Sequence, residues 1–453
     1  MAKLTFPGGI QLSGEKQLTK DAPFINLFPE GELVFPLSQH IGEPAVPVVK
    51  EGDFVRMGQV IARADGRLSA PIHAPVSGQI TAVEDRLTAD GTQARSIVLE
   101  NDGLYLEIPY PPNRHIYSLR REEILAGIRS AGITGLGGAS LPSAVKIEEA
   151  DPESVDFCIA NCMESEPYLT AGYRRLVESP WKVINGLRIV LRMFPKARGV
   201  IALPSGYADC AAQLRELTAQ MPHVQVRVLP DKYPQGAERQ LIYAITGRTL
   251  NRTMLPHDIG CIVYNLDTLV AINQACITNE PLMTRTLTLS GRAAEAPGNY
   301  RVRLGMSCRE FLEQAGGLKE GYTEEDVLFL DGGPMMGRPY ASLDVPVTKL
   351  TRGLICIPRH ELPSVRTSAC IRCGRCAGVC PNRLTPFRLL RDLEKEKDDR
   401  FIAHGGLECS GCGACTYICP AGLSLSDRID EYREQLLKDP EKTGDYARRY
   451  IRR

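Results

Sequence analysis

The chain has 453 residues, of which 43% are hydrophobic, and it balances 54 Lys+Arg against 54 Asp+Glu. That length exceeds one hydrophobic core and predicts three or four domains; the charge balance excludes the basic footprint of a nucleic-acid binder. No run of about 18 apolar residues exists to span a membrane, and the opening MAKLTFPGGIQLSGEK lacks the apolar stretch of a signal peptide, so the chain is expected not to cross a membrane by itself, though it can dock on a protein that does.

From about residue 32 to 110 the chain reads as short strands broken by turns: ELVFPL, AVPVVKEGDFVRMGQVIARA, SAPIHAPVSGQITAVE and SIVLE. Two half-motifs recur, GDFVRMGQVIA (residues 52–62) and HAPVSGQITAVE (residues 73–84). The pair resembles the lipoyl/biotinyl barrel-sandwich fold. Where that family places an acceptor lysine, five residues before Ile72, this chain has Arg67, whose guanidinium cannot be acylated. The unit is therefore expected to be a structural or docking module.

From residue 118 the apolar period lengthens. SLRREEILAGIRSAGI predicts an amphipathic helix capped by Ser118. It runs into the Gly-rich turn GITGLGGASLPSAVK, residues 132–146, which can bring backbone N–H groups against a phosphate. FCIAN, GVIALP, VQVRVLP and GCIVYN then read as buried strands separated by helical patterns, an α/β domain with ligand loops beyond its strand ends. Those loops carry Asn161, Glu164 and Glu166, then YPQGAERQL and YNLDTL. Each glutamate alone reads as a solvated loop acid; three beside a Gly turn and a lysine point to a site. TRTLTLSGRAAEAPGNYRVRLGMSCREFLEQAGGL and DVLFLDGGPMMG predict a small β-grasp domain, with the loop from Asp331 to Gly337 read as packing or chain reversal.

Cysteine chemistry closes the chain. CIRCGRCAGVCP and CSGCGACTYICP each spell C-x2-C-x2-C-x3-C-P, the bacterial ferredoxin run in which three near thiolates hold one [4Fe–4S] cluster and the fourth reaches the other. One cluster is assigned to Cys370, Cys373, Cys376 and Cys419, the other to Cys409, Cys412, Cys415 and Cys380. Structural zinc takes pairs of pairs, and disulfides would suit a secreted chain, so neither explains the spacing as well. The other seven of the fifteen cysteines, scattered through apolar runs, read as buried thiols in a reducing compartment. Between the runs, LTPFRLLRDLEKEKDDR predicts one helix.

In this order, GGI, PLSQHIGEPAVPVVKEGDFVRMGQ, SAPIHAPVSG, GLGGASLPSAVK, ESEPYLT, YPQGAERQLIYAITGR, TRTLTLSG, DGGPMMG, PVTK and the two ferredoxin runs resemble the C subunit of the Rnf complex, the ion-translocating ferredoxin:NAD oxidoreductase, over nearly the whole chain. The α/β core is also similar to the flavin- and NADH-binding subunit of respiratory complex I. The resemblance implies a multidomain α/β architecture. It comprises a barrel-sandwich hybrid (lipoyl-like) domain over 1–112, a Rossmann-like FMN/NADH-binding α/β domain over 113–282, a β-grasp (SLBB-like) domain and linker over 283–360, and an α-helical ferredoxin domain with two [4Fe–4S] clusters and a tail over 361–453.

It further implies that Gly135, Gly137, Gly138 and Ala139 line the flavin and nucleotide phosphates, with Lys146 as the nearby cation. Asn161, Glu164 and Glu166 would approach the isoalloxazine and NADH, Gly236 and Glu238 would form a second acidic loop, and Asn265 with Thr268 would meet the FMN phosphate or ribityl chain. Leu141 replaces an aromatic of the related pattern, Met163 an acid, and QLSGEK the usual HPPE after GGI.

The implied cofactors are FMN, NAD(H) and two [4Fe–4S] clusters. No side chain need act as a proton acid or base. The implied partners are a ferredoxin-like B subunit and integral membrane proteins of the same complex, with peripheral placement on the cytoplasmic side of the inner membrane. Two alternatives stay open: a soluble relative feeding an amino-acid reductase or cobalamin reductase system, and a cluster-only electron wire. The Lys/Arg-rich tail YREQLLKDPEKTGDYARRYIRR reads as a solvated helix end or a membrane or partner contact.

Overall fold

The computed structural model describes residues 5–111, 115–138, 140–364 and 366–444. Strand β1, Phe24–Asn26, precedes the barrel, which is built from β2 (Glu32–Pro36), β3 (Val46–Pro47), β4 (Phe54–Val55), β5 (Val60–Arg63), β6 (Ile72–His73), β7 (Gly78–Leu87) and β8 (Gln93–Asn101). Two sheets, ordered β2-β8-β7-β4 and β3-β5-β6, face each other. Leu33, Phe35, Ile61, Ile80, Ile97 and Leu99 fill the interior, as period-2 strands with one buried face require. Arg67 leaves this unit and pairs with Glu149 of the next domain at 2.6 Å, a docking contact.

Residues 5–26, which the resemblance places in the 1–112 barrel-sandwich domain, bond to the neighbouring domains. Ile10 forms a bridge with Tyr233, Lys16 donates to the carbonyls of Glu164 and Leu169, and β1 pairs in parallel with a strand of the β-grasp sheet. The segment is too short and irregular to hold a core of its own, so it satisfies its backbone groups on neighbouring edges.

The α/β domain begins with helix α1, Arg121–Ser130. Ser118 is not its cap. It ends a preceding 3-10 turn and its hydroxyl donates to the His115 carbonyl, while the Glu123 carboxylate accepts the Arg120 N–H at 2.8 Å and closes the helix start. After α2 (Ser143–Glu148) come β9 (Phe157–Asn161), α3 (Ala171–Glu178), α4 (Pro180–Leu191), β10 (Arg198–Pro204), α5 (Ala208–Leu217), β11 (Val224–Leu229), α6 (Glu238–Thr246), β12 (Cys261–Asn265) and α7 (Leu266–Ile277).

The sheet is all parallel, ordered β11-β10-β9-β12. Every residue of β10 after Arg198 is buried, as in a strand covered on both faces. The order grows outward from β9 to β11, then returns to set β12 on the other side of β9. The crevice between β9 and β12 is therefore the topological switch point, and Asn161 and Asn265 stand in register at its two carboxyl ends.

The β-grasp sheet contains β13 (Thr284–Ser290), β14 (Gly298–Arg303), β15 (Val327–Asp331), β16 (Arg338–Pro339) and β17 (Gly353–Pro358), ordered β1-β14-β13-β17-β15-β16, with α8 (Cys308–Gln314) across it. Its Lys349 is buried and donates to the carbonyls of Pro71 and Gly132, both at 2.8 Å, so one ammonium ties the barrel, the α/β domain and the β-grasp domain together.

The last domain has short helices α9 (Arg375–Val379), α10 (Pro386–Leu393), α11 (Asp398–Ala403), α12 (Ala414–Tyr417) and α13 (Leu425–Leu437). The single helix expected between the cysteine runs is two, α10 and α11. The chain turns at Glu396, with φ of 51°, and the Asp392 carbonyl accepts the Lys397 N–H. Beyond 444 the basic tail lies outside the described residues.

Candidate functional site

A cavity of about 590 Å³ opens at the switch point. Gly135, Gly137, Gly138, Lys146, Asn161, Glu164, Glu166, Gly236, Glu238, Asn265 and Thr268 all line it; Ala139 lies outside the described residues. The Gly turn closes on itself, Ser140 N–H donating to the Gly135 carbonyl and Gly135 N–H to the Leu141 carbonyl. Lys146 is held between Glu238 (3.1 Å) and the Val263 carbonyl (2.7 Å).

The polar residues divide into braces and free groups. Asn161 spans the two loops, its amide donating to the Gly236 carbonyl, and Asn265 caps α7 by accepting the Asp267 N–H at 2.9 Å. Glu164 caps α3, accepting N–H groups of Gly172 and Tyr173 and the Tyr207 hydroxyl. Its carboxylate is thus largely committed to the scaffold. Glu166 differs. One oxygen accepts the Met335 N–H at 3.1 Å, the other is buried with no partner among the described residues, and burial raises its pKa above the usual carboxylate value.

The β-grasp domain closes the cavity with residues the motifs did not single out: Arg285, Thr286, Thr288, Met336 and Arg352. Arg285 carried a signal, since on β13 it falls in phase with the buried Leu287 and Leu289. The Gly333–Met335 turn lies directly on Glu166: a Cβ on Gly333 would stand 2.3 Å from its carboxylate.

The cavity reaches the cysteines through Tyr233. Its ring lines the cavity, and its hydroxyl donates to the Cys412 carbonyl at 2.7 Å. Beyond it, Cys380, Cys409, Cys412 and Cys415 ring one small cavity, and Cys370, Cys373, Cys376 and Cys419 ring another. Among the described residues no three acid, His or Cys side chains are grouped to hold a single metal ion; the thiols surround a space instead. Four soft thiolate donors about one volume suit an iron–sulfur cluster. Cys370 and Cys373 are exposed, while Cys412 and Cys415 are buried.

The seam between the domains is built by α6 and by GGI. Arg239 pairs with Glu408 (2.6 Å) and Gln240 with Asn382 (2.8 Å). Gly9 N–H donates to the Val379 carbonyl at 2.8 Å, and Gly8, at φ 78°, comes so near that a Cβ would stand 2.7 Å from the Cys380 carbonyl.

Barrel, switch-point cavity, β-grasp wall and paired thiol rings are the architecture of an iron–sulfur flavoprotein of electron transport. Residues 4–104 match the RnfC barrel sandwich hybrid domain, 128–274 the Nuo51 FMN-binding domain, 286–339 the SLBB domain and 369–423 the 4Fe-4S dicluster domain.

The chain is 35% identical over 406 residues to the C subunit of the Na(+)-translocating ferredoxin:NAD(+) oxidoreductase complex of Acetobacterium woodii, covering 89% of this chain and 90% of the relative. It is 37% identical over 403 residues to the C subunit of the proton-translocating complex of Clostridium ljungdahlii, covering 88% and 87%. It is 35% identical to the C subunit of the ion-translocating oxidoreductase complex of Pseudomonas aeruginosa, covering 99% of this chain and 58% of that one. The chain belongs to the family of C subunits of ion-translocating (Rnf-type) oxidoreductase complexes.

Proposed function

We propose that this chain is the site where NAD(H) meets a membrane-bound ferredoxin:NAD+ oxidoreductase coupled to ion translocation. The observation that carries the reading is that Tyr233, which lines a nucleotide-sized cavity, donates its hydroxyl to the carbonyl of Cys412, one of four cysteines ringing the next small cavity. FMN, when bound, supplies the conversion between the two-electron hydride of NAD(H) and the single electrons a [4Fe–4S] cluster accepts.

The protein's own groups bind and orient. The Gly135–Gly138 turn offers backbone donors and close approach, Lys146 supplies a fixed positive charge, and Asn161 and Asn265 hold the loops on either side of the crevice. Glu166 presents its unpartnered oxygen to the ligand space, and Glu164 fixes the start of α3 behind it. The β-grasp wall limits water at the reacting face.

Electrons would pass first to the cluster of Cys380, Cys409, Cys412 and Cys415, which adjoins Tyr233, and then to that of Cys370, Cys373, Cys376 and Cys419. Exposed Cys370, Cys373 and Ile371 suit transfer to a docked partner there, such as a ferredoxin-like protein of the complex. Among the described residues no helix is long and apolar enough to cross a membrane, so membrane association would run through integral membrane partners, on the cytoplasmic face.

The test is anaerobic addition of NADH to the full chain with reconstituted clusters. Flavin bleaching followed by cluster signals in EPR is expected. A preparation that retains no flavin and does not respond to NADH would sink the reading.

A further inference from the structure

We propose that Arg285, carried by the β-grasp sheet and not by the nucleotide-binding domain, is the cation that holds the phosphate monoester of the bound flavin; this rests on the FMN reading above. Arg285 is 4% exposed, yet it lines the cavity. Its Nε and Nη2 donate to the Thr351 carbonyl (3.2 and 2.9 Å), and Nη2 also reaches the Leu136 carbonyl of the Gly turn at 3.2 Å. Nη1 is buried and has no partner among the described residues. Those bonds fix the guanidinium plane and leave one edge over. A buried donor pair of that kind is costly unless a ligand completes it.

The surrounding charges call for an anion. Arg285 is surrounded by Arg175 and Arg352 on the positive side and by Asp267 and Asp331 on the negative, so three guanidinium groups face two carboxylates. Both carboxylates are engaged elsewhere. Asp267 accepts from Arg175 at 3.3 Å and from the Thr286 hydroxyl at 3.1 Å, and Asp331 accepts the Arg352 N–H at 2.8 Å. Arg352 also faces Glu166, which leaves Arg285 as a guanidinium with no carboxylate bonded to it among the described residues.

Position selects the flavin's phosphate over the dinucleotide's. Arg285 abuts Leu136, whose N–H donates to the hydroxyl of Thr268 in the first turn of α7. That helix, twelve residues long, starts on the cavity wall and directs its positive end there. A group sequestered this deeply suits a resident cofactor; NAD(H), which must enter and leave, takes the open side.

The test uses the full chain with clusters reconstituted and flavin removed, titrated with FMN and with riboflavin, which has the same ring and no phosphate. Wild type should prefer FMN. Arg285→Gln should lose about tenfold to a hundredfold of that preference, the range for hydrogen bonds to charged groups, with riboflavin affinity within about twofold of wild type. Arg285→Lys, which keeps the charge, should recover part of the preference and guards against a merely misfolded variant. Equal loss for both flavins in both variants, or a loss confined to NADH, overturns the assignment to Arg285 while the FMN reading stands. Failure of wild type to bind either flavin overturns both.

Discussion

At the scale of single residues, the site separates side chains that hold the scaffold from those left to meet a ligand. Glu164 and Glu166 are two positions apart, yet the first is consumed by α3 and Tyr207 and the second keeps an oxygen free. Burial raises the pKa of Glu166, so its charge costs stability at neutral pH, where an unfolded chain would hold it ionised freely. Glu166→Gln should therefore raise Tm by about 2 °C, yet slow NADH-dependent flavin bleaching roughly tenfold through the lost charged acceptor. A variant that is both less stable and fully active would contradict this. Cys380→Ser should alter the EPR signal of the cluster shared with Cys409, Cys412 and Cys415. If only the other cluster changes, the ligand partition is wrong.

Among the elements, the meeting of barrel, Gly turn and β-grasp sheet at Lys349 gathers buried groups whose titration links stability to pH. His40 accepts the Ala70 N–H at Nε2 (2.7 Å), a bond that needs that nitrogen unprotonated, and the pKa of His73 is lowered to about 3 by burial, with Lys349 adding repulsion. The unfolded chain binds a proton on His73 below about 6.5, whereas the folded chain does not until about 3. Stability is then present above the unfolded value and falls as pH drops through that window, at up to about 1.4 kcal/mol per pH unit for one histidine. Lys349, lowered to about 7 by burial, adds the same sign between 7 and 10.5. Thermal melts from pH 7 to pH 4.5 should show a steep acid limb that His73→Gln flattens. Identical limbs would remove His73 from the account.

For the whole molecule, the decisive feature is the seam between the nucleotide and cysteine domains. GGI, α6 and Tyr233 make it, and Gly8 is in a conformation that side chains rarely adopt, where a Cβ would press on the Cys380 carbonyl. Gly8→Val should leave NADH bleaching of flavin near the wild-type rate and slow subsequent cluster reduction several-fold, read by stopped-flow absorbance against freeze-quench EPR. Unchanged cluster reduction would show that GGI does not set the spacing.

Sequence alone determined the buried parallel strands through their hydrophobic period and, through the resemblance of its ordered motifs to a known family, the family and the order of the domains, because period and motif are local properties. It also named the α/β-domain residues that line the switch-point cavity, though not those of the β-grasp wall, since motif positions carry the former. It misplaced two helix boundaries, where competing local caps and turns decide. Ser118 lost the helix start to Glu123, and the helix between the cysteine runs broke at Glu396. Only the tertiary structure decided which glutamate keeps a free oxygen, that a β-grasp arginine enters the cavity, and which thiol ring adjoins Tyr233. Most of those outcomes turn on contacts between residues more than a hundred positions apart, and no local pattern encodes burial or the partner that satisfies a buried charge.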